Sequence, residues 1–378
     1  MSKTLDIDPI DPAATKSHRA GDVERFPSGN TTYLAPLPLP TDASPHSPYV
    51  SDLNDTYLDF GGGKPQVFSW QITLGAPFTA ALLIVLGIPL VVGLIVAASG
   101  YGLAEVLEFS TDLFIATRVP AIWMFLCGLG IGLAVWLHNH RKYTNVIPTR
   151  FNRQRREVCF MPKGADTPVF VPWESLSAWV VQAQGATQYG VRRQYGMGMG
   201  YQHAGQMVSV EFVCGGLPLA IAHWEAVRAY MEYEVNDLKS IQDPMDLQGP
   251  NDPPHEGMHT FRNARARLHR RVREKEVGWT YGFFWYLYHV MTFWMLPNRI
   301  VEWEVRRIAR IGRKALPEAM RSWSEPLSEE QWAKPSDDLK RLSKRVKEMK
   351  KQKPLRSITE IFAEVYLIES SEKNGRDV

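Results

Sequence analysis

Cysteine is scarce in this chain of 378 residues, and the three present (Cys127, Cys159 and Cys214) include no pair at a metal-ligand spacing. That excludes a disulfide scaffold and a zinc ribbon. Net charge is nearly absent, with 43 basic against 40 acidic residues, which makes no global case for a nucleic-acid binder. Phosphate-binding loops are missing too. Gly61-Gly62-Gly63-Lys64 lacks the spacing and the following Ser or Thr, and Gly196, Gly198 and Gly200 have no strand–turn–helix context. No Gly-x-Ser-x-Gly nucleophile elbow occurs. The first apolar run begins only near residue 72, behind a polar arm, so no secretory signal is expected.

The most informative absence is of charge: from Pro65 to Ala104 there is not one charged side chain. Within it, Ile72–Ala98 is rich in Leu, Ile, Val, Ala and Gly, and Val119–Leu137 forms a second uncharged run of 19 residues. About 20 such residues cross a hydrocarbon core of about 30 Å, so residues 65–140 read as a pair of transmembrane helices, about 72–98 and 119–137. Pro89 should kink the first. The connection Ser99–Arg118 carries Glu105, Glu108 and Asp112 against one basic residue, whereas Arg141, Lys142, Arg150, Arg153, Arg155 and Arg156 follow the second run. Excess Lys and Arg marks the cytoplasmic side. A multi-pass protein of the bacterial inner membrane is expected, with both termini cytoplasmic and 99–118 outside. His138-Asn139-His140 reads as a polar cap on the second span.

Residues 1–64 hold eight prolines, five basic and nine acidic side chains, and read as a disordered N-terminal arm. Residues 141–239 read as a cytoplasmic β-rich domain. Its strands are expected at Val158–Met161, Val169–Val171, Ala178–Gln184, Met207–Cys214 and Leu217–Ala222, with a turn at 162–166 and a helix over His223–Val235. Gly190–Gly205 is expected to be a long hairpin loop. The outline is that of a small antiparallel, pleckstrin-homology-like domain closed by one helix. A linker, 240–256, leads to basic helices over 257–325, where Arg265, Arg270, Arg271 and Arg273 precede Val277–Pro297, a segment with nine aromatics in 21 residues. A third crossing would push a basic flank outward, so this segment is expected to lie on or dip into the inner leaflet. The tail, 326–378, should hold a helix capped by Ser336 with Leu339, Leu342, Val346 and Met349 on one face, then a stripe of Ile358, Ile361, Phe362 and Val365. The fold class is thus an α+β membrane protein with a helical basic tail.

One pentapeptide carries metal chemistry. His255-Glu256-Gly257-Met258-His259 fits His-Glu-x-x-His, in which i and i+4 histidines on one helix face hold zinc and the glutamate activates a bound water. Its context opposes that use, because Pro253, Pro254 and Gly257 disfavour the helix and the third ligand has only Glu274 or Glu276 as candidates. No cofactor is expected. The basic helices, and the run Arg141, Lys142, Arg150, Arg153, Arg155 and Arg156 after the second span, are expected to face anionic headgroups, each Lys or Arg being worth about 1 kcal/mol near such a surface; without a recognisable reading module, nucleic acid is not expected as a partner.

Three stretches, Arg150-Phe151-Asn152-Arg153-Gln154-Arg155-Arg156-Glu157-Val158, Val171-Pro172-Trp173-Glu174-Ser175-Leu176-Ser177-Ala178 and Trp224-Glu225-Ala226-Val227-Arg228-Ala229-Tyr230-Met231-Glu232, carry a resemblance together with the apolar pair before them. The chain resembles, over roughly residues 70–235, a family of uncharacterised bacterial two-span inner-membrane proteins encoded beside type VI secretion effector genes. Its motif positions here are Arg150, Phe151, Asn152, Arg153, Pro172, Trp173, Glu174, Trp224, Arg228 and Met231; none is assigned to catalysis. The resemblance implies a non-enzymatic immunity or effector-accessory protein, acting by protein–protein contact at the membrane with a cognate effector as partner. The alternatives are a membrane-embedded zinc protease built on His255, Glu256 and His259, and a lipid-binding scaffold. Gly87, Gly93, Gly128, Gly130 and Gly132 permit close helix approach, by a toxin's helix or between the chain's own two spans.

Overall fold

The computed structural model describes residues 18–61, 65–145, 147–162, 165–187, 190–203, 206–242 and 247–374. Along the chain, strands β1 (Val23–Phe26), β2 (Gly29–Ala35), β3 (Val50–Leu53) and β4 (Tyr57–Phe60) come first. Helix α1 (Val67–Leu82), a π-helical turn (Leu83–Gly87), α2 (Ile88–Ala98) and the long α3 (Leu103–Asn145) follow. Next are β5 (Thr149–Asn152), β6 (Glu157–Phe160), β7 (Val169–Pro172), β8 (Ser177–Thr187), β9 (Gly190–His203), β10 (Gln206–Cys214) and α4 (Leu217–Met231). Helices α5 (Met258–Arg273), α6 (Trp279–Met291), α7 (Leu296–Ala315), α8 (Glu318–Trp323), α9 (Asp337–Gln352) and α10 (Ile358–Asn374) complete it. The chain divides into a sheet unit, formed by 18–61, 147–242 and 316–374, and a helical unit, formed by 65–145 and 247–315.

The sheet unit contains two five-stranded antiparallel sheets, in the orders β1-β2-β8-β9-β10 and β3-β4-β5-β6-β7. The expectation of a disordered arm is therefore wrong for 18–61, while residues 1–17 and 62–64 lie outside the described residues. A polar window hid one apolar face: Leu34, Ala35, Val50, Leu58 and Phe60 are fully buried. Their partners lie far along the chain, with Thr32 opposite Val180 and Leu58 opposite Phe151. Strands β4 and β5 are neighbours, and everything between them passes through the helical unit.

Two more expectations are corrected in this unit. Gly190–His203 is a strand, not a loop, because its glycines serve the sheet: a Cβ on Gly198 would lie 2.4 Å from the Trp179 ring, and one on Gly200 2.6 Å from the Val208 carbonyl oxygen. Leu217–Ala222 is the first part of α4 rather than a strand; Pro218 suits a helix's first turn, and Ala220, Trp224, Val227 and Met231 form its buried face. The turn at 162–166 includes Lys163 and Gly164, outside the described residues. The tail belongs to this core: Ser336 Oγ accepts the Leu339 N–H at 3.1 Å, and Leu339, Leu342 and Val346 join Ile358, Ile361, Phe362 and Val365 in the same cluster.

In the helical unit, α1 and α2 form one apolar rod of 32 residues and Leu103–Arg141 of α3 another of 39, both long enough to cross a membrane. Only 11% and 6% of their most apolar windows is buried. Pro89 removes an N–H and its ring crowds the carbonyl four residues back; the π turn immediately before it widens the helix there. The stretch 99–118, expected as a connection, is a loop only as far as Gly102, with Gly100 at φ +90°. Its acidic residues Glu105, Glu108 and Asp112 instead sit on the first turns of α3, a continuous helix. The two rods touch where small residues allow it: Cβ atoms on Gly128 and Gly132 of α3 would meet Pro77 and Thr73 of α1, and one on Gly93 of α2 would meet Ser110. Gly130 has nothing within 4 Å.

Candidate functional sites at the helix foot and the motif cluster

The residues that carry the resemblance gather in the sheet unit, where their charged groups pair with carboxylates of the same unit while the buried Trp224 Nε1 and Arg156 Nε make no hydrogen bond among the described residues. Arg150 forks onto Asp59, Nε to Oδ1 at 2.6 Å and Nη2 to Oδ2 at 2.7 Å, with its guanidinium 3.7 Å over the Tyr57 ring. Burial opposes that charge, but the Asp59 hydrogen bond and charge win and push the Arg150 pKa upward. Arg153 reaches Asp55, Asn236 and the Val235 carbonyl between the rings of Tyr230 and Tyr233. Arg156 donates to Glu174 at 3.1 Å and to Glu232 at 2.8 Å, and the Trp173 indole N–H donates to the same Glu232 oxygen. Trp173 stacks on Trp224 with centroids 5.3 Å apart. Arg228 binds Glu225 and Glu234, while Glu225 Oε2 also accepts from Thr41 N and Oγ1.

Phe151 and Met231 are fully buried in the adjoining core, and Pro172 ends β7 just before Trp173. Asn152 and Arg155 hold the Trp323 carbonyl, at 3.1 and 2.9 Å, and Trp323 Nε1 donates to Glu157 at 2.7 Å. The Arg150–Glu157 segment thus ties strands from the first sixty residues to α4 and the tail. This corrects one reading of the charge run after the second apolar stretch: Arg150, Arg153 and Arg156 are 4%, 3% and 7% exposed, so they serve the core and not a membrane surface. Their partners come from elsewhere in the chain, 91 residues away for Asp59, which a local count of charges cannot see. Arg141, Arg265, Arg270 and Arg273 are exposed, Arg271 half-exposed, and the Lys142 side chain lies outside the described residues. Arg270 and Arg271 pair with Glu274 and Glu276, at 3.3 and 3.1 Å.

The second site lies at the foot of the apolar rods. Glu304 of α7 is 5% exposed and accepts two indole N–H bonds, from Trp70 Nε1 of α1 to Oε2 at 2.7 Å and from Trp136 Nε1 of α3 to Oε1. One carboxylate therefore joins three helices. The sequence signal was an acid on the apolar stripe Ile300, Val301, Val305 and Ile308. His140 stacks on Trp136 at 5.1 Å and is 8% exposed, with neither ring nitrogen hydrogen-bonded among the described residues.

The His255–His259 pentapeptide meets α1 here, and it lacks the one-face histidine pair expected of a His-Glu-x-x-His helix. Helix α5 starts at Met258, so His255 precedes it and the two imidazoles share no helix face; their rings lie 5.9 Å apart at 69°. Pro253, Pro254 and Gly257 delay the helix. His255 Nδ1 is bonded to the Glu256 carbonyl at 2.8 Å, and the Glu256 carboxylate accepts the Val67 N–H at the start of α1. Glu274 and Glu276 are engaged as above. Among the described residues no three His, Cys, Asp or Glu side chains are placed to hold a metal ion.

Helix α6 is 13 residues, about 20 Å at 1.5 Å per residue, short of the hydrocarbon thickness. Trp279, Phe283, Phe284 and Val290 are exposed on it, and Phe293 and Trp294, both with positive φ, lie in the turn between α6 and α7. Of the expected linker, 243–246 lies outside the described residues. Cys159 is buried, which pushes its thiol up to about 12, and Cys214 is raised for the same reason. Comparisons with protein-family models, with curated proteins and with solved structures found no match.

Proposed function

We propose that the protein is a non-enzymatic, multi-pass protein of the bacterial inner membrane that works by protein–protein contact in a type VI secretion effector locus, as an immunity or effector-accessory protein. The observation that carries the membrane part is the outward placement of apolar side chains on α1–α3. Leu90, Leu94, Trp123 and Ile131 are each more than 60% exposed. Leaving such a side chain in water forfeits about 1.5–3 kcal/mol, and lipid removes that cost. Trp70 and Trp136 suit the headgroup zone, the short aromatic α6 suits the inner leaflet, and the charge bias of the flanks favours both termini inside. Antiparallel strands packed with α4 support a pleckstrin-homology-like reading on the cytoplasmic side, in a unit that is larger than one small domain closed by one helix, because it also takes in 18–61 and the tail helices.

The locus assignment rests on the resemblance of the three motif stretches. Immunity is favoured by the second apolar helix, because Gly130 remains open where Gly128 and Gly132 are occupied, leaving room for a partner's helix. Deleting the gene should sensitise cells to sister cells that deliver the neighbouring effector; unchanged survival overturns the immunity role. Release of the full chain from membranes by alkaline carbonate overturns the spanning topology. A lipid-binding scaffold is the second reading, favoured by the exposed aromatics of α6 beside basic α5 and α7; vesicle binding indifferent to anionic lipid and salt would dispose of it.

A further inference from the structure

A cavity of about 490 Å³ opens within the helical unit at the start of α1, a volume typical of small-ligand pockets. Val67, Phe68, Phe261, Glu256, His289 and Arg267 are among the residues that line it. Glu256 spends one oxygen, Oε2, on the Val67 N–H; Oε1 makes no hydrogen bond among the described residues, and the residue lines the cavity. His289 is 8% exposed, and its Nδ1 lies 2.8 Å from the Trp285 carbonyl, so Nδ1 carries the proton and Nε2 is left as an acceptor. Phe261 sits with its ring 5.3 Å from that imidazole. A carboxylate oxygen, an imidazole acceptor and an aromatic wall together form surroundings for a small cation that carries N–H donors.

Arg267 brings the opposite charge to the same cavity, and its five donors can serve an anion beside any neighbour. A ligand that matches both ends has an ammonium a few bonds from a phosphate. Its apolar remainder also has a path, because Phe68 and Ile72 are 60% and 50% exposed along α1.

We infer that this cavity binds the phosphoethanolamine headgroup of a membrane phospholipid, with the ammonium on Glu256 and His289, the phosphate on Arg267 and the acyl chains along α1. The inference rests on the membrane reading of α1–α3 and adds the lipid class. Choline has no N–H to donate and glycerol has no positive charge, so neither satisfies Glu256. Burial raises the Glu256 carboxyl above its usual range, only partly countered by the Val67 N–H, and a bound ammonium supplies the counter-charge it lacks. The glutamate of the His-Glu-x-x-His pattern thus acts as a helix anchor and an amine acceptor.

The test uses the full chain in detergent, stripped of lipid and titrated with dioctanoyl phosphatidylethanolamine, phosphatidylcholine and phosphatidylglycerol, with native mass spectrometry as readout. Phosphatidylethanolamine should bind at least about tenfold more tightly than the other two, roughly one step of 1.4 kcal/mol. Glu256→Gln keeps an acceptor for Val67 and should erase that preference. Arg267→Ala, at an exposed position, should weaken phosphatidylethanolamine and phosphatidylglycerol alike. Equal affinity for the three lipids, or a preference untouched by Glu256→Gln, overturns the site. A chain that proves soluble without detergent sinks the membrane reading instead, and titration with water-soluble phosphoethanolamine then still decides the headgroup site.

Discussion

The two units place the same kinds of side chain in opposite ways. In the sheet unit Phe60, Phe151, Trp173, Trp224 and Tyr230 are fully buried and Arg150, Arg153, Arg156 and Arg228 are buried with them. In the helical unit Leu90, Trp123, Ile131 and Phe284 are more than 60% exposed, and Arg265, Arg270 and Arg273 are exposed as well. Under the proposed membrane placement the difference is one of solvent. A unit in water gathers its apolar groups and can afford buried arginines only where carboxylates meet them. A unit in lipid needs its own small residues and a few polar pins inside, and turns its bulk outward. The sheet unit is thus held by pairs across long sequence distances, the helical unit by close helix approach and Glu304.

The largest expected effect breaks a pair in the sheet unit. Asp59→Ala strands the buried Arg150 charge and should cost about 3–5 kcal/mol, read as a fall in the denaturation midpoint of the full chain in detergent. A loss below about 1 kcal/mol would show the pair to be dispensable. Next comes the pin of the helical unit: Glu304→Ala leaves the Trp70 and Trp136 indoles without an acceptor and should cost about 2–4 kcal/mol, seen by thermal unfolding with a change in tryptophan emission. No change in either signal would remove Glu304 from its role.

A glycine comparison sharpens the account of the rods. Gly128→Ala brings a Cβ within 2.8 Å of Pro77 and should weaken helix pairing by about 1–3 kcal/mol, whereas Gly130→Ala meets nothing and should be neutral or slightly stabilising. Equal effects in a cross-linking assay between α1 and α3 would contradict the observed interface. The smallest effect is a pH dependence of the sheet unit. Burial lowers the His223 pKa below its usual 6.5, partly offset by the bond of Nδ1 to the His46 carbonyl. The folded state therefore favours the neutral ring, and its contribution is intact above pH 6.5 and lost as pH falls below it, where the unfolded chain takes up the proton. The drop in Tm between pH 7.5 and 5.5 should shrink in His223→Gln; an unchanged drop assigns it to other groups.

The helical unit was largely legible beforehand, since an uncharged run needs no partner to declare itself. The Ser336 cap and the stripes of α9 and α10 were legible for a similar reason, being patterns within one or two turns. The polar N-terminal strands were not, because Tyr33 and Leu34 gain their burial only beside β8. Nor was β9, where Gly198 is required by a tryptophan on another strand. The charge run after α3 misled most, as Arg150 and Arg156 look alike to any local count whether they face headgroups or carboxylates.

Local composition and period by themselves determined the two apolar rods, the short aromatic helix and the capped tail, because free energies of transfer and helix geometry act within a few turns of chain. Only the tertiary structure decided that 18–61 joins the sheets, that Arg150, Arg153 and Arg156 are core residues and that Glu256 anchors α1. Each of those depends on a partner distant in sequence, and the energy of a buried charge is set by what stands a few ångströms away rather than by its neighbours along the chain.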